Sequence, residues 1–207
     1  LGIPTTRALA ATTTGENVHR DGPKKGAVLA RIAASHLRVG TFQVFAHRGE
    51  VEHLKTLTGY AINRHYPDAK TPMDLLRAVC IAQAELVTKW MAVGFIHGVM
   101  NTDNASIAGE TIDYGPCAFM DAFHQNRVFS SIDQQGRYAF GQQPGIAVWN
   151  MAQLATSLIQ QMDDRDAAVE EATAIVHAMP AQLEAGWLTN FAAKIGIANP
   201  TQADTKL

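Results

Sequence analysis

The chain lacks the features that mark several large classes of protein. Its 207 residues include only two cysteines, Cys80 and Cys117, which are too few and too far apart for a disulfide framework or a CxxC zinc site. No apolar run reaches the roughly 18 residues of a membrane-spanning helix, and no signal peptide is visible. The formal net charge of −2 gives no electrostatic reason to expect nucleic acid or an anionic membrane as a partner.

Several local signatures are missing as well. The histidines form no H-x-x-x-H pair, so a zinc site is not indicated. The chain has no G-x-S-x-G nucleophile elbow, and no GxxxxGK[ST] or GxGxxG pattern precedes its first strands. What remains is an ordinary globular composition, 47% hydrophobic and 17% charged, of a length that suits one domain or one and a half.

The order of the predicted elements is a small sheet followed by a helical body. Residues 5–33 are rich in Thr, Ala and Val and are broken by Gly, Asn, Asp and Pro, which predicts a small antiparallel sheet. Apolar residues then recur at helical spacing, which predicts helices over residues 41–48, 51–66, 72–94, 146–162, 165–179 and 181–195. The helix over residues 72–94 has the longest apolar pattern and should be the central buried one. The predicted fold class is therefore α+β, mainly α.

Polar residues concentrate in one stretch at the end of that central helix. Residues 94–115 read GFIHGVMNTDNASIAGETIDYG and place Asp103 and Asn104 ten and nine residues before Asp113. Two carboxylates and a carboxamide on adjacent loops supply the oxygen ligands that a hard divalent cation such as Mg²⁺ takes. The ordinary alternative is that Asp and Asn simply build turns here.

The spacing within this stretch is similar to the catalytic and metal loops of protein kinases. Kinases carry H-R-D-x-x-x-x-N and then D-F-G. Here residues 97–99 (HGV) stand where H-R-D would, Asn104 falls five residues after Val99, and residues 113–115 (DYG) stand where D-F-G would. Because a valine can neither accept a proton nor orient a hydroxyl, Asp103 is the carboxylate left for the role of the base.

Other conspicuous side chains have a structural interpretation. A lone histidine at a helix-to-loop junction is expected to be a hydrogen-bonding residue, so His97 is left out of the catalytic set. Tyr114 is expected to pack as the Phe of D-F-G does, and Cys117 to be a small packing residue. The tryptophans fall on apolar helical faces and are predicted to lie in the core; they are Trp90, Trp149 and Trp187.

These motifs together resemble the selenoprotein O family of kinase-fold proteins. Besides GFIHGVMNTDNASIAGETIDYG, the resemblance extends to LGIPTTRALA at 1–10, RIAASHLRVGTF at 31–42 and GRYAFGQQPGIAVWNMAQLA at 136–155. It therefore covers essentially the entire chain.

The resemblance implies a protein-kinase-like fold in two parts. Residues 1–40 would be the end of the small N-terminal lobe, a remnant of its sheet. Residues 41–207 would be much of the helical large lobe, with the catalytic loop at 97–104 and the metal loop at 112–115.

The function that the resemblance implies is protein adenylylation. ATP would bind in an orientation flipped relative to ordinary kinases, so that AMP passes to a Ser, Thr or Tyr hydroxyl of an acceptor protein. Asp103 would then be the catalytic base, and Asn104 and Asp113 the ligands of Mg²⁺ or Mn²⁺. Arg31 and Arg38 would seat the flipped phosphates, which suits arginine because its planar fork binds phosphate oxygens bidentately. Some members transfer UMP with manganese, so the nucleotide stays open.

The sequence departs from the family in what surrounds these motifs. The family's glycine-rich phosphate loop and lysine–glutamate pair come earlier, and no glycine-rich pattern precedes the sheet region here. The family also continues beyond Leu207, often to a cysteine or selenocysteine, and many members have Asp-Pro where His124-Gln125 stands here. We therefore expect the chain to be a central portion of a longer protein, with weak or absent activity in isolation.

Two other functions stay open on the sequence. One is a kinase-type phosphotransferase, and the other is a pseudokinase that binds nucleotide without turnover. Location follows the source of the protein: cytoplasmic for a bacterial protein, mitochondrial for a eukaryotic one.

Overall fold

A computed structural model of the chain describes residues 2–201 and 203–204. The elements in chain order are β1 (Arg7–His19), β2 (Pro23–Ile32), α1 (Val39–His47), α2 (Val51–His65), α3 (Pro72–Ala92), β3 (Phe95–Ile96), β4 (Ala118–Phe119), α4 (Gln143–Ile159) and α5 (Arg165–Lys194). Short 3₁₀ turns span Thr102–Asn104 and Phe140–Gln142. The architecture is α+β and mainly helical, which confirms the predicted fold class at that level. None of the helices in the described residues is long and apolar enough to cross a membrane.

The first two strands form an antiparallel hairpin, as the sequence predicts. Arg7 pairs with Ile32 at its base, and His19 pairs with Pro23 beside the turn. Every residue of both strands is exposed except Gly26. Neither face of the hairpin is therefore covered by the part of the chain that the structure describes.

The core lies among the helices, with α3 at its centre. α3 begins with a reciprocal cap in which Thr71 Oγ1 accepts from the Asp74 amide at 3.1 Å and Asp74 Oδ2 accepts from the Thr71 amide at 3.0 Å. Its buried residues pack against α4 and α5. Gly94, with φ of +69°, follows the helix and turns the chain into β3. The central buried helix is confirmed.

The prediction of separate helices over residues 165–179 and 181–195 is wrong. α5 runs without interruption from Arg165 to Lys194, with Pro180 inside it. Pro180 cannot donate to the Val176 carbonyl one turn earlier, and its ring crowds that carbonyl, so it normally ends or kinks a helix. Here Met179 and Leu183, on either side of it, are both buried in the core. Their burial holds the two halves together.

The prediction of a core position for Trp149 is also wrong. Its side chain is 40% exposed, and the Arg137 guanidinium lies over its ring, 4.8 Å from the centroid. The buried stripe of α4 instead includes Ala147, Asn150 and Met151. A polar residue occupies the stripe because its amide has a partner there: Asn150 Nδ2 donates to the Met100 carbonyl at 3.0 Å. Of the other two tryptophans, Trp90 is buried and Trp187 is half-buried.

Removing the proline from α5 should stabilise the protein. We expect Pro180→Ala to raise the free energy of unfolding by about 1–3 kcal/mol, because alanine restores the missing N–H and relieves the crowding. Urea denaturation of the purified protein measures the change. The neighbouring exposed Ala181→Gly is the control and should lower stability by about 1 kcal/mol. A lower midpoint for Pro180→Ala would show that the helix depends on its proline.

Candidate active site

The predicted catalytic and metal loops lie in one segment of the chain, and a pair of short strands joins the two ends of that segment. β3 and β4 pair antiparallel, with Phe95 opposite Phe119 and Ile96 opposite Ala118. The chain between them, residues 97–117, therefore leaves and returns at the same point, at the end of α3. Trp90 of α3 packs against Phe95, with ring centroids 5.6 Å apart.

A buried histidine joins the two loops inside this segment. His97 is fully buried, and its Nε2 lies 2.7 Å from the carbonyl oxygen of Ile112, the residue before Asp113. The Val99 amide donates to His97 Nδ1 at 3.3 Å. Since Nδ1 accepts, the imidazole is neutral with its proton on Nε2, which donates to Ile112. Burial lowers the pKa of His97 and outweighs the hydrogen bond to Ile112 and the nearby Asp113 carboxylate, which raise it. The structural interpretation of His97 is confirmed.

The predicted catalytic loop exposes Asp103 and orients Asn104. Asp103 lies in the 3₁₀ turn and is exposed. Asn104 Nδ2 donates to the Val99 carbonyl at 2.9 Å, and its backbone amide donates to the Asn101 carbonyl at 3.0 Å. Because the nitrogen of the carboxamide is used in this bond, the oxygen is the atom left for a ligand.

The first turn of α1 packs against the Asp103 side chain. A Cβ placed on Gly40 would overlap Asp103 Oδ1, so the close approach of this carboxylate requires glycine at that position. The two segments also pair through their backbones: Val39 donates to the Ala105 carbonyl and Ile107 to the Leu37 carbonyl, both at 3.0 Å. α1 and the catalytic loop are thus one packed unit.

The predicted metal loop holds Asp113 in an unusual backbone conformation. Its φ is +67°, in the left-handed region that Asp and Asn tolerate better than most residues, and its side chain is exposed. The Gly115 amide donates to the Asp113 carbonyl at 2.9 Å.

Tyr114 packs by its edge on Phe95, with ring centroids 6.3 Å apart. Its side chain stays 46% exposed, and its hydroxyl bonds to Thr5 Oγ1.

The structure places the two arginines differently. Arg38 precedes α1 and pairs with Ser106 just after the catalytic loop, and its Nε is buried without a hydrogen-bond partner in the described chain. Arg31 lies on the hairpin opposite Ala8 and is exposed. Its side chain makes no hydrogen bond or ion pair with residues 2–201 or 203–204. The chain thus brings Arg38, but not Arg31, against the loop of Asp103.

Comparison with known proteins gives this site a family. A family model described as protein adenylyltransferase SelO matches residues 1–206. The chain belongs to the SelO family. It is 70% identical over 207 residues to proteins named protein nucleotidyltransferase YdiU from Roseobacter denitrificans and from Ruegeria pomeroyi, and 59% identical to the one from a Jannaschia species. All of this chain is covered in each case, and it spans 44%, 44% and 43% of those relatives.

The donor chemistry of this SelO-family site fits a magnesium or manganese ion that is shared with phosphate. Among the described residues, no group of three or more His, Cys, Asp and Glu side chains is arranged to hold a metal. The loops instead offer the exposed carboxylates of Asp103 and Asp113 and the free carboxamide oxygen of Asn104. Magnesium is usually held by one or two carboxylates together with substrate phosphates. Asp103 and Asp113 can supply the carboxylates.

Sequence reasoning missed the buried amides that anchor the SelO loops. Gln143 Oε1 accepts from the His97 amide and its Nε2 donates to the Phe95 carbonyl, each at 3.0 Å. Gln83 Nε2 donates to the Ser106 carbonyl at 2.6 Å. The sequence did carry a signal for two of these amides. Gln83 and Asn150 are polar residues at helix positions where the spacing predicts an apolar residue.

Protonation of His97 should make the protein acid-sensitive. The unfolded chain protonates this histidine below about pH 6.5 while the folded protein keeps it neutral, so the unfolded state binds more protons there. Stability then falls as the pH drops below that value, by at most about 1.4 kcal/mol per pH unit for this group. His97→Asn should flatten the dependence in denaturation measured between about pH 7.5 and 5. His19→Asn, on the exposed hairpin, serves as control; equal slopes for His97→Asn and wild type would contradict the expectation.

The contact between Gly40 and Asp103 predicts different effects for two helical glycines. Gly40→Ala should leave the free energy of unfolding within about 0.5 kcal/mol of wild type, because displacement of the exposed Asp103 carboxylate offsets the gain in helix propensity. Gly59→Ala in α2 should raise it by about 0.5–1 kcal/mol, since no atom lies within 4 Å of a Cβ there and alanine favours helix. Guanidinium denaturation measures both. Stabilisation by Gly40→Ala as large as that by Gly59→Ala would mean that the carboxylate does not lie against this turn.

Proposed function

We propose that this SelO-family chain carries the catalytic and metal loops of a protein nucleotidyltransferase that transfers AMP from ATP to Ser, Thr or Tyr hydroxyls of acceptor proteins. The observation that carries the proposal is the bond between both loops, in which His97 of residues 97–104 donates to the Ile112 carbonyl beside Asp113. The names of the family and of its relatives support it. Residues 97–104 act as the catalytic loop and 112–115 as the metal loop.

The fold that we propose for the longer protein is kinase-like. Residues 1–40 would belong to its small lobe and residues 41–207 to its helical large lobe. The exposure of both hairpin faces supports this division, because an isolated two-stranded hairpin is marginally stable without further strands or packing. We accordingly expect residues 1–207 alone to transfer AMP weakly or not at all.

Asp103 is the proposed general base. It takes the proton of the acceptor hydroxyl as that oxygen bonds to the α-phosphorus of ATP. The bond from the α-phosphorus to the oxygen that bridges to the β-phosphate breaks, and pyrophosphate leaves. The exposed carboxylate over Gly40 can be reached by an acceptor side chain. A positioned base contributes roughly 10²–10⁴ in rate.

Asn104 and Asp113 are the proposed metal ligands. A bound Mg²⁺ or Mn²⁺ neutralises charge on the phosphates in such sites. The residues themselves contribute fixed oxygens: the carboxamide of Asn104 is oriented by Val99, and the backbone of Asp113 is held through its neighbour Ile112.

Arg38 and Arg31 are the proposed phosphate-seating residues. The buried, unpartnered Nε of Arg38 supports its part, because a buried donor without a partner is costly unless a ligand completes it. Arg31 would act from the hairpin, at the other end of the connecting segment 33–37. The proposed setting is the bacterial cytoplasm, with proteins rather than nucleic acid or membrane as partners.

Labelled ATP tests the reaction in the natural full-length protein. With Mg²⁺ and an acceptor, label in the α-position should appear on protein and label in the γ-position should not. Asp103→Ala should lower the rate of transfer by a factor of roughly 10²–10⁴. Asp113→Ala should abolish transfer. The exposed Asp121→Ala is the matched control and should transfer normally.

The other outcomes decide between the rival functions. Incorporation of γ-label would make the protein a phosphotransferase. ATP binding without incorporation of either label would make it a pseudokinase.

A further inference from the structure

The connection between β2 and α1 is held by side chains from two other parts of the fold. Both polar groups of the Ala34 peptide are occupied: its amide donates to Glu110 Oε2 at 2.9 Å, and its carbonyl accepts from Arg64 Nε at 2.7 Å. The next residue is held too, because Ser35 Oγ lies 2.8 Å from His65 Nε2. Glu110 belongs to the segment that leads to the metal loop, and Arg64 and His65 end α2.

The other end of the hairpin is tied to the same segment. The Thr6 amide donates to the Thr111 carbonyl, and the Thr111 amide donates to the Pro4 carbonyl, each at 3.0 Å. Thr111 Oγ1 also donates to the Pro4 carbonyl at 2.9 Å and accepts from Trp90 Nε1 at 2.8 Å. Glu110 and Thr111 therefore hold the end and the start of the hairpin, only three and two residues before Asp113.

These bonds, together with the one between Thr5 Oγ1 and the Tyr114 hydroxyl, matter because they join the described body of the fold to the hairpin. Its strands bury only Gly26, so apolar packing does not fix the direction in which the hairpin points. Hydrogen bonds from the described residues hold the base of the hairpin in place of apolar packing. A bond to a charged partner, such as Glu110 or Arg64, is worth roughly twice a neutral one.

We propose that Glu110 is a positioning residue for nucleotide binding, with Arg64 as its counterpart. Together they fix the Ala34 peptide, which lies between Arg31 and Arg38, and so set the hairpin arginine relative to Asp113. This inference rests on the proposed function, since it assigns Arg31 and Arg38 to the phosphates of the same nucleotide. Glu110 would act through the Ala34 peptide and not by contact with the nucleotide.

The test separates the hydrogen bond from the charge and from general stability. Glu110→Ala removes the acceptor of the Ala34 amide, whereas Glu110→Gln keeps an oxygen acceptor and loses only the charge. Glu171→Ala removes an exposed carboxylate that pairs with Arg77 at 3.4 Å, far along the chain on α5, and is the matched control. Calorimetry of ATP binding to the full-length protein gives Kd, and hydrogen exchange over residues 32–36 reports the Ala34 amide.

We expect Glu110→Ala to weaken ATP binding about tenfold and to speed exchange of the Ala34 amide by a similar factor. Glu110→Gln should stay within about threefold of wild type in both, and Glu171→Ala should match wild type. AMP transfer at saturating ATP should change less than about twofold in Glu110→Ala, so that the loss falls on KM and not on kcat.

Two results would overturn the inference. One is unchanged ATP affinity in Glu110→Ala; the other is equal weakening by Ala and Gln, which would assign the effect to charge. Failure of the proposed function looks different: wild-type protein that binds ATP without transferring AMP still allows the Kd values to be compared, so the role of Glu110 is decided either way.

Discussion

The hydrogen bond from buried His97 to the Ile112 carbonyl is the contact on which the candidate site depends. Asp103 and Asp113 are exposed and lie on separate loops, so neither carboxylate fixes the other. The imidazole reaches across from one loop to the backbone of the next, and burial keeps it neutral so that one ring nitrogen donates and the other accepts. A charged ring could not accept from Val99, so the imidazole would keep its bond to Ile112 but lose the one that orients the loop of Asp103.

The helical body around this contact and the β1–β2 hairpin are held in different ways. Buried amides of Gln83, Gln143 and Asn150 fix the loops by hydrogen bonds to backbone carbonyls, and the helical core surrounds them. The hairpin is the opposite case, because its orientation rests on polar contacts at its base. Nucleotide binding that requires residues from both parts would therefore be sensitive to the few bonds that join them.

Much of the fold could be predicted because it follows from local patterns. The apolar spacing of α3, its cap at Thr71 and the turn at Gly94 are all encoded within a few residues of one another. One error arose where distant contacts overrode a local rule: Pro180 stays inside α5 because Met179 and Leu183 on either side of it are buried in the core. The other was a wrong choice of helix face, since the spacing of the buried residues of α4 leaves Trp149 outside their stripe.

By itself the sequence determined the chemical inventory of the site: the types and spacing of Asp103, Asn104 and Asp113, and the loop lengths that bring them near the end of α3. The tertiary structure alone decided which residues support them. Gly40 lies 63 positions before Asp103, and Glu110 lies 76 positions after Ala34. Contacts of that separation leave no periodic trace along the chain, because they depend on how whole elements pack and not on which residues are neighbours in sequence.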